Sequence, residues 1–210
     1  AVPHIICKGF TKDETEYALI DLNFLGVNNV LLLRGDVKTL EPVQDPENYH
    51  EHATDLQQQV NLFNKGVALD GSHIDGIETP FSYGMACYPE KHEEAPNMES
   101  DIYYAKEKVK NGASYLVTQM FFDNSKYFAF VERCRKEGIE VPIIPGIKPI
   151  VFKNQLTVLP KIFRSDIPEP FAAELRKCKS DEDAMEVGIE WCIGQCKELI
   201  AHGVPSLHFY

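Results

Sequence analysis

The chain is 210 residues long, enough for one domain with a sizeable core, and its 44% apolar and 25% charged residues match an ordinary globular protein. A formal net charge of −11 and a pI near 5.1 argue against a nucleic-acid partner, whose phosphate backbone needs a basic face, and leave an anionic cofactor to a few local donors. No apolar run approaches the ~20 residues of a membrane span, and Ala1-Val2-Pro3-His4-Ile5-Ile6 lacks the charged start of a signal peptide, so neither a membrane partner nor export is expected.

Taken in chain order, short apolar runs alternate with helical patterns. His4–Cys7 predicts a first strand. Thr11 with Glu14 three residues later is a capping box opening a helix through about Leu25, and Gly26 fits its stop. Asn29–Leu33 predicts the next strand, which runs into Arg34-Gly35-Asp36. From Val37 to Tyr49 prolines break any helix, so a loop is expected. A helix from about Ala53 to Asn64, a glycine-bearing loop from Gly66 to Pro80 and a strand at Ser82–Tyr88 come next. A helix from Met98 to Asn111, a strand at Tyr115–Phe122, a helix from Ser125 to Glu137 and a strand at Val141–Ile147 continue the alternation. Phe152 to Lys179 reads as two shorter helical pieces divided around Pro168 and Pro170. A helix from Asp181 to His202 and a strand at Ser206–Tyr210 close the chain.

Near-continuous apolar strands of this length predict parallel sheet covered on both faces. Such alternation suits a doubly wound sheet or part of an eight-stranded barrel. No Gly-x-Gly-x-x-Gly follows the first strand and no glycine-rich lysine loop is present, which weakens the nucleotide-binding doubly wound reading. The expectation is therefore an α/β (β/α)8 TIM barrel with about six of its eight strands in 1–210, as one incomplete catalytic barrel domain. The chain starts inside one strand without an initiator Met and stops inside another, so it is expected to be a fragment or to lack its ends. Six cysteines form no CxxC. Cys192 and Cys196, four apart in a helix, are placed to share a face, and reduced packed thiols with no metal site are expected in a reducing intracellular compartment.

In parallel barrels the chemistry sits at the carboxyl ends of strands. Those places hold Arg34-Gly35-Asp36, Tyr88-Pro89-Glu90-Lys91-His92, Thr118-Gln119 and Pro145-Gly146. Arg34 and Asp36 read equally as functional groups or as a solvated pair, while a cell-adhesion role fits poorly on a buried strand. Tyr88 and His92 lie four apart, and Asp101 and Lys108 seven apart on one helix. Ring, imidazole, carboxylate and ammonium together suit a sugar-phosphate cofactor; an amphipathic helix with exposed charges is the plainer account. His92-Glu93-Glu94 lacks the second His of a zinc helix. Gln119 inside an apolar strand needs partners, supplied by a ligand's ring atoms or by a core network. His4 and His208, as strand residues, read as core histidines.

The ordered set Pro3-His4, Leu33-Arg34-Gly35-Asp36, Tyr88-Pro89-Glu90-x-His92-x-x-Ala95, Gly112-Ala113, Thr118-Gln119-x-Phe121-Phe122-Asp123, Ile144-Pro145-Gly146-Ile147 and Leu207-His208-Phe209-Tyr210 resembles methylenetetrahydrofolate reductase over nearly all of the chain. Each match is weak alone, and the order makes the set specific. The resemblance implies a flavin-bearing barrel that reduces 5,10-methylenetetrahydrofolate to 5-methyltetrahydrofolate with NADH or NADPH, in a homo-oligomer of the cytoplasm. By position it implies that His4, Arg34, Gly35, Asp36, Tyr88, His92, Ala95, Asp101 and Lys108 bind FAD. Arg34 and Lys108 would offset the pyrophosphate, and Asp36 would exert electrostatic control beside the isoalloxazine. Gln119 and Gln155 are implied folate contacts, Gln119 also meeting the nicotinamide in turn, which implies a ping-pong cycle.

The family's proton-donating Glu, on its first strand, and a folate-contacting Arg after the final His-Phe-Tyr are not found in 1–210. Weak or absent catalysis is therefore expected of this stretch alone. Tyr104 and Glu107 stand where a common bacterial pattern has a polar amide and a basic residue. Two other readings are a Schiff-base lyase or aldolase using Lys148 and a non-catalytic binding module.

Overall fold

A computed structural model of the chain describes residues 2–35, 46–77 and 79–210. Two compact units emerge, one of Ala1–Ala86 with Lys108–Tyr115, the other of Cys87–Glu107 with Leu116–Tyr210.

In the first unit the strands β1 (His4–Ile6), β2 (Asn29–Leu33) and β3 (Ser82–Cys87) pair in parallel, with His4 opposite Leu31 and Leu31 opposite Gly84. Parallel neighbours cannot be joined by a tight turn, so helices α1 (Lys12–Phe24) and α2 (Ala53–Phe63) make the crossovers. The α1 start is set by sequence: Thr11 Oγ1 accepts from the Glu14 amide at 3.1 Å and Glu14 Oε2 from the Thr11 amide at 2.8 Å. A 3-10 turn spans Pro46–Asn48, and Val67 bridges antiparallel to His73. Val30, Leu32, Leu19, Leu56, Val60 and Met85 are fully buried, giving the unit an aliphatic core.

One buried polar group is built into that core. The Tyr83 hydroxyl accepts from Gln57 Nε2 at 3.1 Å and lies within donating distance of Asn61 Oδ1 (2.8 Å) and the Asn111 carbonyl (2.9 Å). Gln57 also donates to the Lys108 carbonyl at 2.7 Å, so the network holds the end of the helix that carries Lys108. Tyr83→Phe strands two side-chain amides and is expected to cost about 1–2 kcal/mol. A thermal melt should show a fall of roughly 2–8 °C, and an unchanged midpoint would mean that the network contributes nothing.

In the second unit β4 (Tyr115–Thr118) pairs in parallel with β5 (Ile143–Ile144), and β6 (Gly146–Ile147) with β7 (His208–Phe209). The strand expected at Val141–Ile147 is thus two pieces, because Pro145 has no amide to donate; its carbonyl instead accepts from His208 at 3.0 Å. The strand expected through Phe122 ends at Thr118. Gln119 stands just past its end, not inside it, where its Oε1 accepts from the Met120 amide and turns the chain.

Helices α3 (Met98–Lys110), α4 (Asn124–Lys136), α5 (Gln155–Phe163), α6 (Glu169–Lys177) and α7 (Asp181–Ala201) follow the sequence pattern closely. Pro168 caps α6 and Pro170 sits in its first turn, where a missing amide costs nothing. Met120, Phe122, Ile150, Leu159, Phe171, Leu175 and Ala184 form the core around these helices, with Trp191 stacked on Phe171 at 4.6 Å. Cys192 and Cys196 do share a face, their sulfurs 4.0 Å apart. The fold class is α/β, built from parallel strand–helix units of the (β/α)8 type. Among the described residues no helix is long and apolar enough to cross a membrane.

Candidate functional site

In the first unit, Arg34-Gly35 leaves β2 directly. The Lys8 amide donates to the Arg34 carbonyl at 3.2 Å, so this strand end is held against the end of β1. Gly35 has φ +84°, a conformation in which a side chain is strained, so the turn that follows Arg34 requires glycine. Arg34 is half-buried, while His4, at the start of β1, is exposed rather than a core histidine. Asp36 lies outside the described residues. Lys108 Nζ donates to the Ala86 carbonyl at 2.8 Å, which brings an ammonium to the carboxyl end of β3.

The second unit carries the densest constellation. Tyr88 and His92 meet edge to face at 4.6 Å, as their spacing suggested. Asp101, buried in the first turn of α3, accepts the His92 amide at 2.6 Å and so fixes the loop to the helix. The Glu94 amide donates to His92 Nδ1 at 3.2 Å. A neutral His92 ring therefore carries its proton on Nε2 and presents a donor there. Ala95 closes the turn by donating its amide to the His92 carbonyl at 3.1 Å.

Two residues of this loop were named at the strand end from sequence but given no role. Lys91 adopts φ 76°, and its Nζ donates to the carbonyls of His92 (3.0 Å) and Ala95 (2.5 Å), bracing the turn from inside. Lysine has no preference for that conformation, so no local signal announces it. Glu90 accepts the Asp166 amide on both carboxyl oxygens at 3.3 Å. Burial pushes its carboxyl up to about 7, with Asp166 and Asp123 adding repulsion, while the Asp166 amide and Lys126 pull it down. The native state thus holds a proton that the unfolded chain has released. That contribution to stability is full below about pH 4.5 and is lost as pH rises through about 7.

Gln119, half-buried at the end of β4, donates its amide to the Cys87 carbonyl at 2.8 Å. Gln155 opens α5, its Oε1 accepting from Val151 (2.7 Å) and Phe152 (3.1 Å). Lys148 follows β6 and is half-buried. Tyr210 donates to the Thr118 carbonyl at 2.7 Å, and the Gly146 amide donates to Thr118 Oγ1 at 2.9 Å, which gathers the ends of β4, β6 and β7. Burial drives the Tyr210 phenol well above its ordinary range, so the donor persists at any physiological pH.

A family model described as methylenetetrahydrofolate reductase matches residues 1–210. The probable methylenetetrahydrofolate reductase (NADPH) of Caenorhabditis elegans is 33% identical over 210 residues, covering 99% of this chain and 29% of that protein. The 5,10-methylenetetrahydrofolate reductase of Escherichia coli (strain K12) is 31% identical over 212 residues, covering 100% of this chain and 64% of that protein. The chain therefore spans under two thirds of the length of these relatives. Among solved structures, an uncharacterized protein from Clostridium thermocellum that binds two copies of 5-methyl-5,6,7,8-tetrahydrofolic acid aligns with a TM-score of 0.47 at 14% identity, over 99% of this chain and 87% of that one.

Proposed function

The chain belongs to the methylenetetrahydrofolate reductase family, and from that premise we propose that it carries FAD-binding and folate-binding parts of an oxidoreductase that reduces 5,10-methylenetetrahydrofolate to 5-methyltetrahydrofolate with NADH or NADPH. The observation that supports this most is the Tyr88–His92–Asp101 constellation, whose spacing in sequence becomes a hydrogen-bonded turn at the end of a strand.

Each unit holds donors suited to parts of the cofactor. Arg34 offers a guanidinium and Lys108 an ammonium, both suited to a pyrophosphate through charge-assisted hydrogen bonds. His92 offers a ring N–H, Tyr88 an aromatic ring, and Asp101 a buried carboxylate that stiffens the loop bearing both. His4, Gly35, Ala95 and Asp36 complete the proposed cofactor contacts. When bound, FAD supplies a carrier that takes hydride from the nicotinamide and passes it to the folate's methylene carbon. Around that chemistry the proposed work of the chain is positioning and electrostatics. Asp36 would favour the cationic iminium of the opened folate, and Gln119 and Gln155 would orient the folate through amide hydrogen bonds.

The test is a titration of the purified chain with FAD, read by quenching of flavin fluorescence. Saturable one-to-one quenching is expected, followed by slow bleaching of the flavin absorbance on adding a reduced nicotinamide nucleotide, in keeping with weak catalysis by this stretch alone. A flat titration would overturn the cofactor reading, and binding without any bleaching would overturn the nicotinamide part of it.

A further inference from the structure

We propose that Glu90 is the positioning residue of the Tyr88–Ala95 loop, acting as a proton-dependent clasp that ties this loop to the segment joining α5 and α6. The naming of Tyr88 and His92 as cofactor contacts rests on the proposed function; the clasp itself rests on geometry alone. Two links join the same two segments. Glu90 receives the Asp166 amide, shared between both its oxygens at 3.3 Å, and Glu93 pairs with Arg164 at 3.8 Å. The second segment is itself fastened. Ser165, buried, donates its hydroxyl to the Met120 carbonyl at 2.8 Å, and Arg164 ends α5 in the left-handed conformation that aims the chain at Glu90.

Burial of the Glu90 carboxyl first, and the charges facing it second, make the clasp depend on a proton. Asp123 at the start of α4 and Asp166 opposite are both carboxylates. Lys126 is the cation facing them, 3.6 Å from Asp166. An ionised Glu90 would be a further carboxylate facing that ammonium; Glu90 and Asp123 are half-buried and poorly solvated, while Asp166 and Lys126 are exposed. The Glu93–Arg164 pair is exposed and adds little to this balance. Uptake of a proton by Glu90 near neutrality removes the cost of burying its charge and, to a lesser degree, the repulsion from Asp166 and Asp123, while a carboxyl oxygen still accepts the Asp166 amide. The clasp is therefore tighter at pH 6 than at pH 8.

Hydrogen exchange of the chain without cofactor tests this, with rates corrected for the intrinsic effect of pH. Protection at the amides of Asp166, Lys91 and Ala95 is expected to fall roughly fivefold between pH 6 and pH 8. Glu90→Gln, always neutral and still an acceptor, should keep the higher protection across that range. Glu90→Ala should be poorly protected at both pH values, while amides of the α7 core remain protected and report a folded chain. An identical pH slope in Glu90→Gln and the unsubstituted chain would overturn the proposal, as would full protection in Glu90→Ala. With FAD present, affinity should weaken with pH in parallel with the exchange and stay level in Glu90→Gln. Absence of FAD binding in every variant would count against the cofactor reading, and the exchange pattern would still decide the clasp.

Discussion

Gly188→Ala is expected to lower the melting temperature by roughly 6–12 °C, corresponding to about 3 kcal/mol in a chain of this size. Glycine inside a helix is unfavourable by about 1 kcal/mol relative to alanine, so its presence in the middle of α7 needs a reason. The reason is close approach: a Cβ at Gly188 would lie 1.8 Å from the Ile150 carbonyl oxygen and 2.8 Å from its carbon. That neighbour is backbone and fully buried in the core of the second unit, so it cannot swing aside as a side-chain tip would. Gly194 on the same helix provides the control, since a Cβ there meets nothing within 4 Å. Gly194→Ala should stabilise by about 1 kcal/mol through helix propensity. Opposite signs for the same substitution six residues apart are the expected result. Equal signs would show that propensity, rather than the Ile150 contact, governs both.

The second large effect concerns the proposed cofactor. Lys108→Met is expected to weaken FAD binding roughly ten- to a hundredfold, the range of one or two charge-assisted hydrogen bonds worth about 1.5–3 kcal/mol. Methionine keeps the apolar stem and removes only the ammonium. The helix end should survive, because Gln57 and the Ala113 amide bind the Lys108 carbonyl and not its side chain. Lys110→Ala, exposed two residues further on, removes the same formal charge and should change the affinity less than twofold at physiological salt. If both substitutions weaken binding equally, the contribution of Lys108 is net charge and not a contact. Fluorescence titration at two salt concentrations separates the cases.

Much of the secondary structure was written locally. The capping boxes at Thr11–Glu14 and Ser180–Asp183 mark helix ends through side chains within three residues of the backbone they satisfy, and Pro168 and Pro170 mark the head of α6 through their fixed φ and missing amides. Apolar runs such as Asn29–Leu33 show a buried strand for the same reason. Where the reading overran, at Thr118 and Pro145, the deciding bonds went elsewhere: Gln119 to Cys87 and Met120, and Pro145 to His208. A run of apolar residues says that a segment is buried; it does not say how long the ladder stays in register.

The candidate site divides along the same line. The spacing of Tyr88 and His92, and the charges around Arg34 and Lys108, were legible because they depend on short separations or on strand ends. The roles of Glu90, Lys91 and Gly188 were not. Glu90 depends on an amide 76 residues away, Lys91 on a backbone conformation foreign to its type, and Gly188 on a carbonyl brought against α7 by packing. The sequence by itself determined the parallel α/β alternation, the helix ends and the family, since each is set by short-range bonding or by the order of motifs. Only the tertiary structure decided which groups bear on one another, because a carboxyl's protonation and a glycine's necessity depend on neighbours that the chain brings near only by folding.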